Sequence, residues 1–228
     1  MITKDVPYNE IAISYEELLS EIGYGSVQPD DYVSALIQKA LDECEHRTNA
    51  SYCYHIVEGE LTKDEIIAQS HQINANSTIT GLLRGSTHFA FFIATAGTMF
   101  QQWIEEVKAT EDSLMIFIVD SMGSLLAEKA GDYMERQLEK EITPLQHTNR
   151  FSPGYCGWHL TDQKNLFSLL EGHNTGVILN DVCLMIPIKS ISGVMGIGEV
   201  VNQKEYGCQH CELEFCYKRN MIARKVPS

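Results

Sequence analysis

TNRFSPGYCGW, residues Thr148 to Trp158, sets an arginine and a tyrosine five positions apart across a proline and a glycine. Pro153 fixes its own φ and holds Ser152 extended. Gly154 admits either a sharp turn or the close approach of a ligand to the backbone. Arg150 can grip a carboxylate or phosphate through two parallel hydrogen bonds. Tyr155 offers a hydroxyl and a ring face that attracts cations. A carboxylate clamp and a cation-attracting ring on one rigid bend suit an amino-acid sulfonium compound. An ordinary type I or II turn with a solvated arginine satisfies the same spacing.

Upstream of the bend, Glu111 to Ile142 reads either as a strand followed by a helix or as one helix of roughly thirty residues. Leu114, Phe117, Ile118, Met122, Leu125 and Leu126 keep one face apolar and favour the single helix, with Gly123 and Gly131 where something packs closely. Glu128 on that helix can pair with an α-amino group. It is also one of several helix acids, with Asp132, Glu135, Glu139 and Glu141, that solvent alone would satisfy.

Further upstream, Ser14 and Glu17 have capping-box spacing and Gly23 ends a short helix. A second helix starts at Pro29 and Asp30 and carries Val33, Leu36, Ile37, Ala40, Leu41 and Cys44 at helical spacing. Ser51 to Val57 and His88 to Ala94 read as strands, and Met99 to Lys108 as an amphipathic helix. Ile66 to Ile79 is ambiguous. Downstream, Asp162 to Leu170 reads as a helix, and Val177–Leu179 and Ser190–Met195 as strands. Without a regular βαβ rhythm, the expectation is one α+β domain over residues 1–228, with a mainly antiparallel twisted sheet and flanking helices.

Composition narrows the function. The 228 residues carry a formal charge of −14, which argues against nucleic acid and against an anionic membrane surface. The apolar runs Phe89–Ala96 and Leu114–Val119 are too short to span a bilayer, and the N-terminus has no secretory pattern, so a cytoplasmic location is expected. The glycines of IPIKSISGVMGIG (Ile186–Gly198) fall in the order GxxGxG, which does not match a dinucleotide fingerprint; a strand and turn of close backbone approach is favoured. No hydrolase, metalloprotease or P-loop signature is present. Seven cysteines without an export signal do not suggest a disulfide framework. Cys208, Cys211 and Cys216 form a knuckle over 208–219 with spacing that suits zinc or an iron–sulfur cluster. Cys53, Cys156 or a histidine would have to complete its shell; free thiols are the alternative.

RFSPGYCGW, an amphipathic helix and then GVILNDVCLMIPIKSISGVMG together resemble the activation (reactivation) domain of cobalamin-dependent methionine synthase. The R-x-x-x-G-Y motif falls on Arg150 to Tyr155, and the Pro followed by a Ser-x-Ser-Gly run on Pro187 and Ser190 to Gly193. LLAEKAGDY is similar to the family's helix with an acidic ligand-binding residue, here Glu128. The family's paired tyrosines reduce to one candidate, Tyr206. The resemblance implies binding of S-adenosylmethionine and reductive methylation of cob(II)alamin on a partner methionine synthase or other corrinoid protein. A flavodoxin- or ferredoxin-type electron donor would complete the reaction. It further implies that Arg150 holds the methionyl carboxylate, Glu128 the amino group, and Ser152 and Gly154 the ligand through their backbone. Tyr155 would stand at the cobalt face as the catalytic residue. A binding protein without turnover, or an iron–sulfur redox activator, is the alternative.

Overall fold

In a computed structural model the described residues are 1–201 and 203. Ser51 to Thr95 builds the centre of the sheet. Strand β2 (Ser51–Leu61) pairs antiparallel with β5 (His88–Thr95), from Ser51 opposite Thr95 to Glu58 opposite His88. The next strand outward is β9 (Ser190–Gly198), also antiparallel, with Phe91 opposite Val194. At the other edge of β2 lie two partners in tandem. β1 (Ile2–Asp5) pairs with its first half and β3 (Glu65–Ala68) with its last residues. β4 (His71–Asn74) extends that side, and the two-residue β6 (Gln146–His147) closes the side next to β9. Among the described residues every pairing is antiparallel, as the sequence suggests.

The apolar runs are buried on both faces of the sheet. Alternate residues of a strand point to opposite sides. Tyr52, Tyr54, Ala90, Phe92 and Met195 face one core, while Cys53, Phe89, Phe91, Ile93 and Val194 face the other. The first core is covered by α1 (Tyr8–Ile11), α2 (Tyr15–Glu21), α3 (Asp31–Cys44), α5 (Thr98–Lys108) and α6 (Ser113–Ile142). The second is closed by α4 (Asn76–Leu82), α7 (Gln163–Leu169) and the buried Phe151 and Trp158.

The long reading of α6 holds: it runs 30 residues, with Asp112 capping the backbone amides of Leu114 and Met115. The Ser14–Glu17 capping box is formed in both directions. The ambiguous Ile66–Ile79 divides into β3, β4 and the start of α4. Its hairpin turns at Gln69, a non-glycine residue at φ 53°, so no glycine or proline marks it in the sequence. The late strand near Val177 shortens to β7 (Ile178–Leu179), which among the described residues pairs only with β8 (Met185–Ile186). The glycine cluster lies in β9, where a side chain at Gly193 would collide with the carbonyl oxygen of Phe151. Among the described residues no helix is long and apolar enough to cross a membrane.

Candidate functional site

Residues 148–151 leave β6 and run on beside β9. The backbone of Phe151 exchanges two hydrogen bonds with Val194, at 2.9 and 2.8 Å. This fixes Arg150 at the sheet edge next to α6. The bend that follows is tied by Gly154 N donating to the Trp158 carbonyl at 2.8 Å and Trp158 N donating to Tyr155 O at 2.9 Å. Gly154 sits at φ 95°, with only Leu160 within 4 Å of a built Cβ, so the turn itself explains this glycine. Asn76 donates its side-chain amide to the Cys156 carbonyl at 3.0 Å and pins the bend to α4. Trp158 is buried beneath it, and Tyr155 is 60% exposed above it.

Arg150 does not extend into solvent. Its guanidinium packs against Gly131 of α6, where any β-carbon would overlap Nη1. Three acids on one face of α6, at positions i, i+4 and i+7, surround it. Asp132 Oδ1 stands 2.5 Å from Nη2, Glu135 Oε2 3.1 Å from Nε, and Glu128 Oε2 3.5 Å from Nη2. The free two-pronged fork expected from the sequence is therefore corrected: protein carboxylates occupy the Nε and Nη2 side. Nη1 is buried and has no hydrogen-bond partner among the described residues.

Asp132 and Glu135, which read as solvated helix charges, belong to this site. The i, i+4, i+7 spacing from Glu128 is the signal that could have found them. Glu135 is the most enclosed of the three, with its side chain 18% exposed. Burial pushes its carboxyl above the ordinary range, with the nearby Arg150 and His147 pulling the other way. His147, 5% exposed, places Nε2 3.1 Å from Glu139 Oε1 and Nδ1 2.7 Å from the Thr148 carbonyl oxygen. Glu135, Glu139 and His147 lie close enough to share a metal ion. Their donor atoms are engaged with one another, with Arg150 and with Gln203, and no metal is assigned there.

A cavity of about 280 Å³ opens at this point. Glu128, Arg150, Ser152 and Tyr155 line it, with Ile79, Phe92, Phe151 and Ile191 as its apolar wall. Four residues singled out from the sequence thus border one space, and Gly154 stands in the bend between two of them. A larger groove of about 770 Å³, between the end of β2 and residues 84–87, contains none of them. Ser190 and Ser192 of the Ser-x-Ser-Gly run are structural. Ser190 Oγ donates to the Pro187 carbonyl at 2.7 Å, and Ser192 Oγ accepts from Gln163 at 3.2 Å. Tyr206, Cys208, Cys211 and Cys216 lie outside the described residues. Of the thiols suggested to complete a metal shell, Cys53 is fully buried in β2, and burial pushes it up to about 12, far from a thiolate.

The crystal structure of the MetH reactivation domain bound to AdoHcy superposes with a TM-score of 0.63 at 17% identity, covering 90% of this chain and 80% of that one. At that identity the likeness concerns the fold. The model of the family described as vitamin B12 dependent methionine synthase, activation domain, matches residues 83–216. That span carries the arginine bend, the acidic helix face and the central strands β5 and β9, and the chain belongs to this family of activation domains.

Proposed function

We propose that the chain binds S-adenosylmethionine in the cavity between α6 and the Arg150–Tyr155 bend, and supports reductive methylation of cob(II)alamin on a partner methionine synthase or other corrinoid protein. The observation that carries this reading is the convergence of Arg150, Glu128, Ser152 and Tyr155 on one cavity in a chain of this family. The structurally similar MetH reactivation domain holds AdoHcy, the demethylated form of the same ligand.

The residues present fit the amino-acid end of such a ligand. Arg150 is the cation lining the cavity, and its Nη1 is a buried donor with no partner among the described residues. A buried unsatisfied donor costs about 1–3 kcal/mol, which a turn of the guanidinium from Gly131 toward a ligand carboxylate would relieve. Glu128 is 56% exposed and is the most distant of the three acids from Arg150, so it can turn to an ammonium group with little loss. Whole-ligand pockets span roughly 300–1,000 Å³. At about 280 Å³ this cavity suits the methionyl arm, with the remainder at the mouth. Tyr155 stands at that mouth, where a corrinoid carried by the partner would approach.

When bound, the sulfonium supplies an electrophilic methyl group, and cobalt reduced by one electron from a flavodoxin- or ferredoxin-type donor supplies the nucleophile. The chain's own part is to hold and align: Arg150 and Glu128 fix the amino acid, the apolar wall excludes water, and Tyr155 presents the face to be approached. No acid–base pair is needed. Calorimetric titration with S-adenosylmethionine tests the first half, with saturable one-to-one binding expected. Methylcobalamin formation with the corrinoid protein and a reductant tests the second. Binding without turnover would leave a non-catalytic binding protein, and no binding would end the reading.

A further inference from the structure

His147 lies in β6, opposite Ile197 and three residues before Arg150. Its ring is 5% exposed, and each ring nitrogen faces an oxygen. Nδ1 is 2.7 Å from the Thr148 carbonyl oxygen, and Nε2 is 3.1 Å from Glu139 Oε1 on α6. A carbonyl and an ionised carboxylate can only accept. A neutral imidazole has one N–H and one lone pair, so it satisfies one of these contacts and turns its lone pair on oxygen at the other. Only the imidazolium donates to both. Among the described residues, the charged groups facing the ring are Glu139 and Glu135 of α6, the latter with Oε1 3.9 Å from Nδ1. Arg150 lies beyond Glu135, and the neutral Gln203, following β9, donates to that same Glu135 oxygen at 2.7 Å. A cavity of about 300 Å³ borders the ring and Glu139, so a proton can leave to solvent.

We infer that His147 is a positioning residue for Arg150: as the imidazolium it ties the 146–151 segment to α6, and loss of its second proton loosens the arginine's seat. That segment pairs with β9 briefly, at Gln146 and His147 and again at Phe151, so a tie to α6 from His147 bears on where Arg150 sits. The neutral ring has two options. Keeping Nδ1–H on Thr148 sets the Nε2 lone pair toward Glu139, whose half-exposed side chain then turns to water. Keeping Nε2–H sets the Nδ1 lone pair against a carbonyl oxygen at 2.7 Å. One contact is lost either way. The effect on the proposed ligand rests on the reading above, and its sign is diagnostic. By charge alone, removing a positive charge from beside these acids would strengthen a sulfonium ligand, so a fall in affinity reports position rather than field.

Glu139→Gln provides the test. The side chain is 51% exposed, so folding is not at issue, and its amide can donate to Nε2 of the neutral ring, which keeps the tie without the second proton. Nitrogen-15 NMR between about pH 5 and 8, where imidazole changes charge, follows the ring protons. In the parent, loss of one of two ring N–H groups should coincide with a fall of about fivefold in S-adenosylmethionine affinity, the worth of one net hydrogen bond. The fall is measured relative to Glu139→Gln, for which the ligand ionises alike and the affinity should stay level. Amide exchange at Phe151, whose N–H bonds Val194 at 2.9 Å, is a ligand-free measure. Its protection should drop with the same proton in the parent and not in the variant. A single ring N–H throughout, or profiles of parent and variant that superimpose, would overturn the inference and leave the ligand reading standing. If S-adenosylmethionine does not bind, the ligand reading goes, and the amide-exchange comparison alone decides for or against His147.

Discussion

Gly131→Ala sets two effects of opposite sign against each other. In an exposed helix interior the change is worth about 1 kcal/mol in favour of alanine. At this position the new β-carbon overlaps Arg150 Nη1, lies 3.2 Å from Arg150 Cζ and 2.5 Å from Ile191 Cδ1. Two responses are open to the protein. If Arg150 stays, the overpacking costs about 1–3 kcal/mol. If it swings out, it abandons the largely buried Glu135, and a hydrogen bond between charged groups is worth about 1.5–3 kcal/mol. The Asp132 contact adds little, because that partner is half exposed. Whichever response is cheaper decides the outcome. After the helix gain is subtracted, a net loss of up to about 2 kcal/mol remains, equivalent to a fall of up to roughly 8 °C in melting temperature for a chain of this size. Displacing Arg150 should also weaken S-adenosylmethionine by about tenfold or more, from the loss of one charged contact. Scanning calorimetry and binding calorimetry on the same preparation measure both. An alanine variant that melts higher than the parent and binds the ligand equally well would refute the account of Arg150 seated on Gly131.

Arg150→Ala should weaken S-adenosylmethionine by about 1.5–3 kcal/mol, and unchanged affinity by calorimetry would remove the clamp. Tyr155→Phe should leave that affinity intact, because the exposed phenol stands at the mouth, but should alter the cob(II)alamin absorbance when the corrinoid partner is added; an identical spectrum would count against its placement. Burial pulls His173 below its ordinary range, while it stacks edge-on to Phe167 and lies 2.9 Å from the Thr175 hydroxyl. Its folded pKa is thus below its unfolded one. Its contribution is present above the unfolded pKa and is lost as pH falls toward the folded one, because only the unfolded chain takes the proton there. Denaturant melts of His173→Gln should show a shallower loss of stability than the parent on acidification from pH 7 to pH 5, and parallel curves would sink the assignment.

Local rules made much of the molecule legible. The Ser14–Glu17 box, the Asp30 cap and the apolar spacing of α3 depend on residues three or four apart, so the sequence displays them directly. The same holds for α6, whose apolar face persists through 30 residues, and for β5, whose unbroken apolar run marks burial on both sides. The β3–β4 hairpin was not legible, because Gln69 takes a left-handed conformation where a glycine would be the usual marker. The two-residue strands β6, β7 and β8 are too short to carry a period.

At the candidate site the sequence by itself determined which chemistry was on offer. Arg150, Pro153, Gly154 and Tyr155 define a bend whose groups suit a zwitterionic ligand, and proline and glycine mark where it turns. Tertiary structure decided which acids the arginine meets. Glu128, Asp132 and Glu135 are equivalent as helix charges until the 146–151 segment pairs with β9 and lays Arg150 across Gly131. The reason is physical: side-chain conformation on a helix depends on neighbours three and four residues away, whereas the field in a cavity depends on charges brought together from distant parts of the chain.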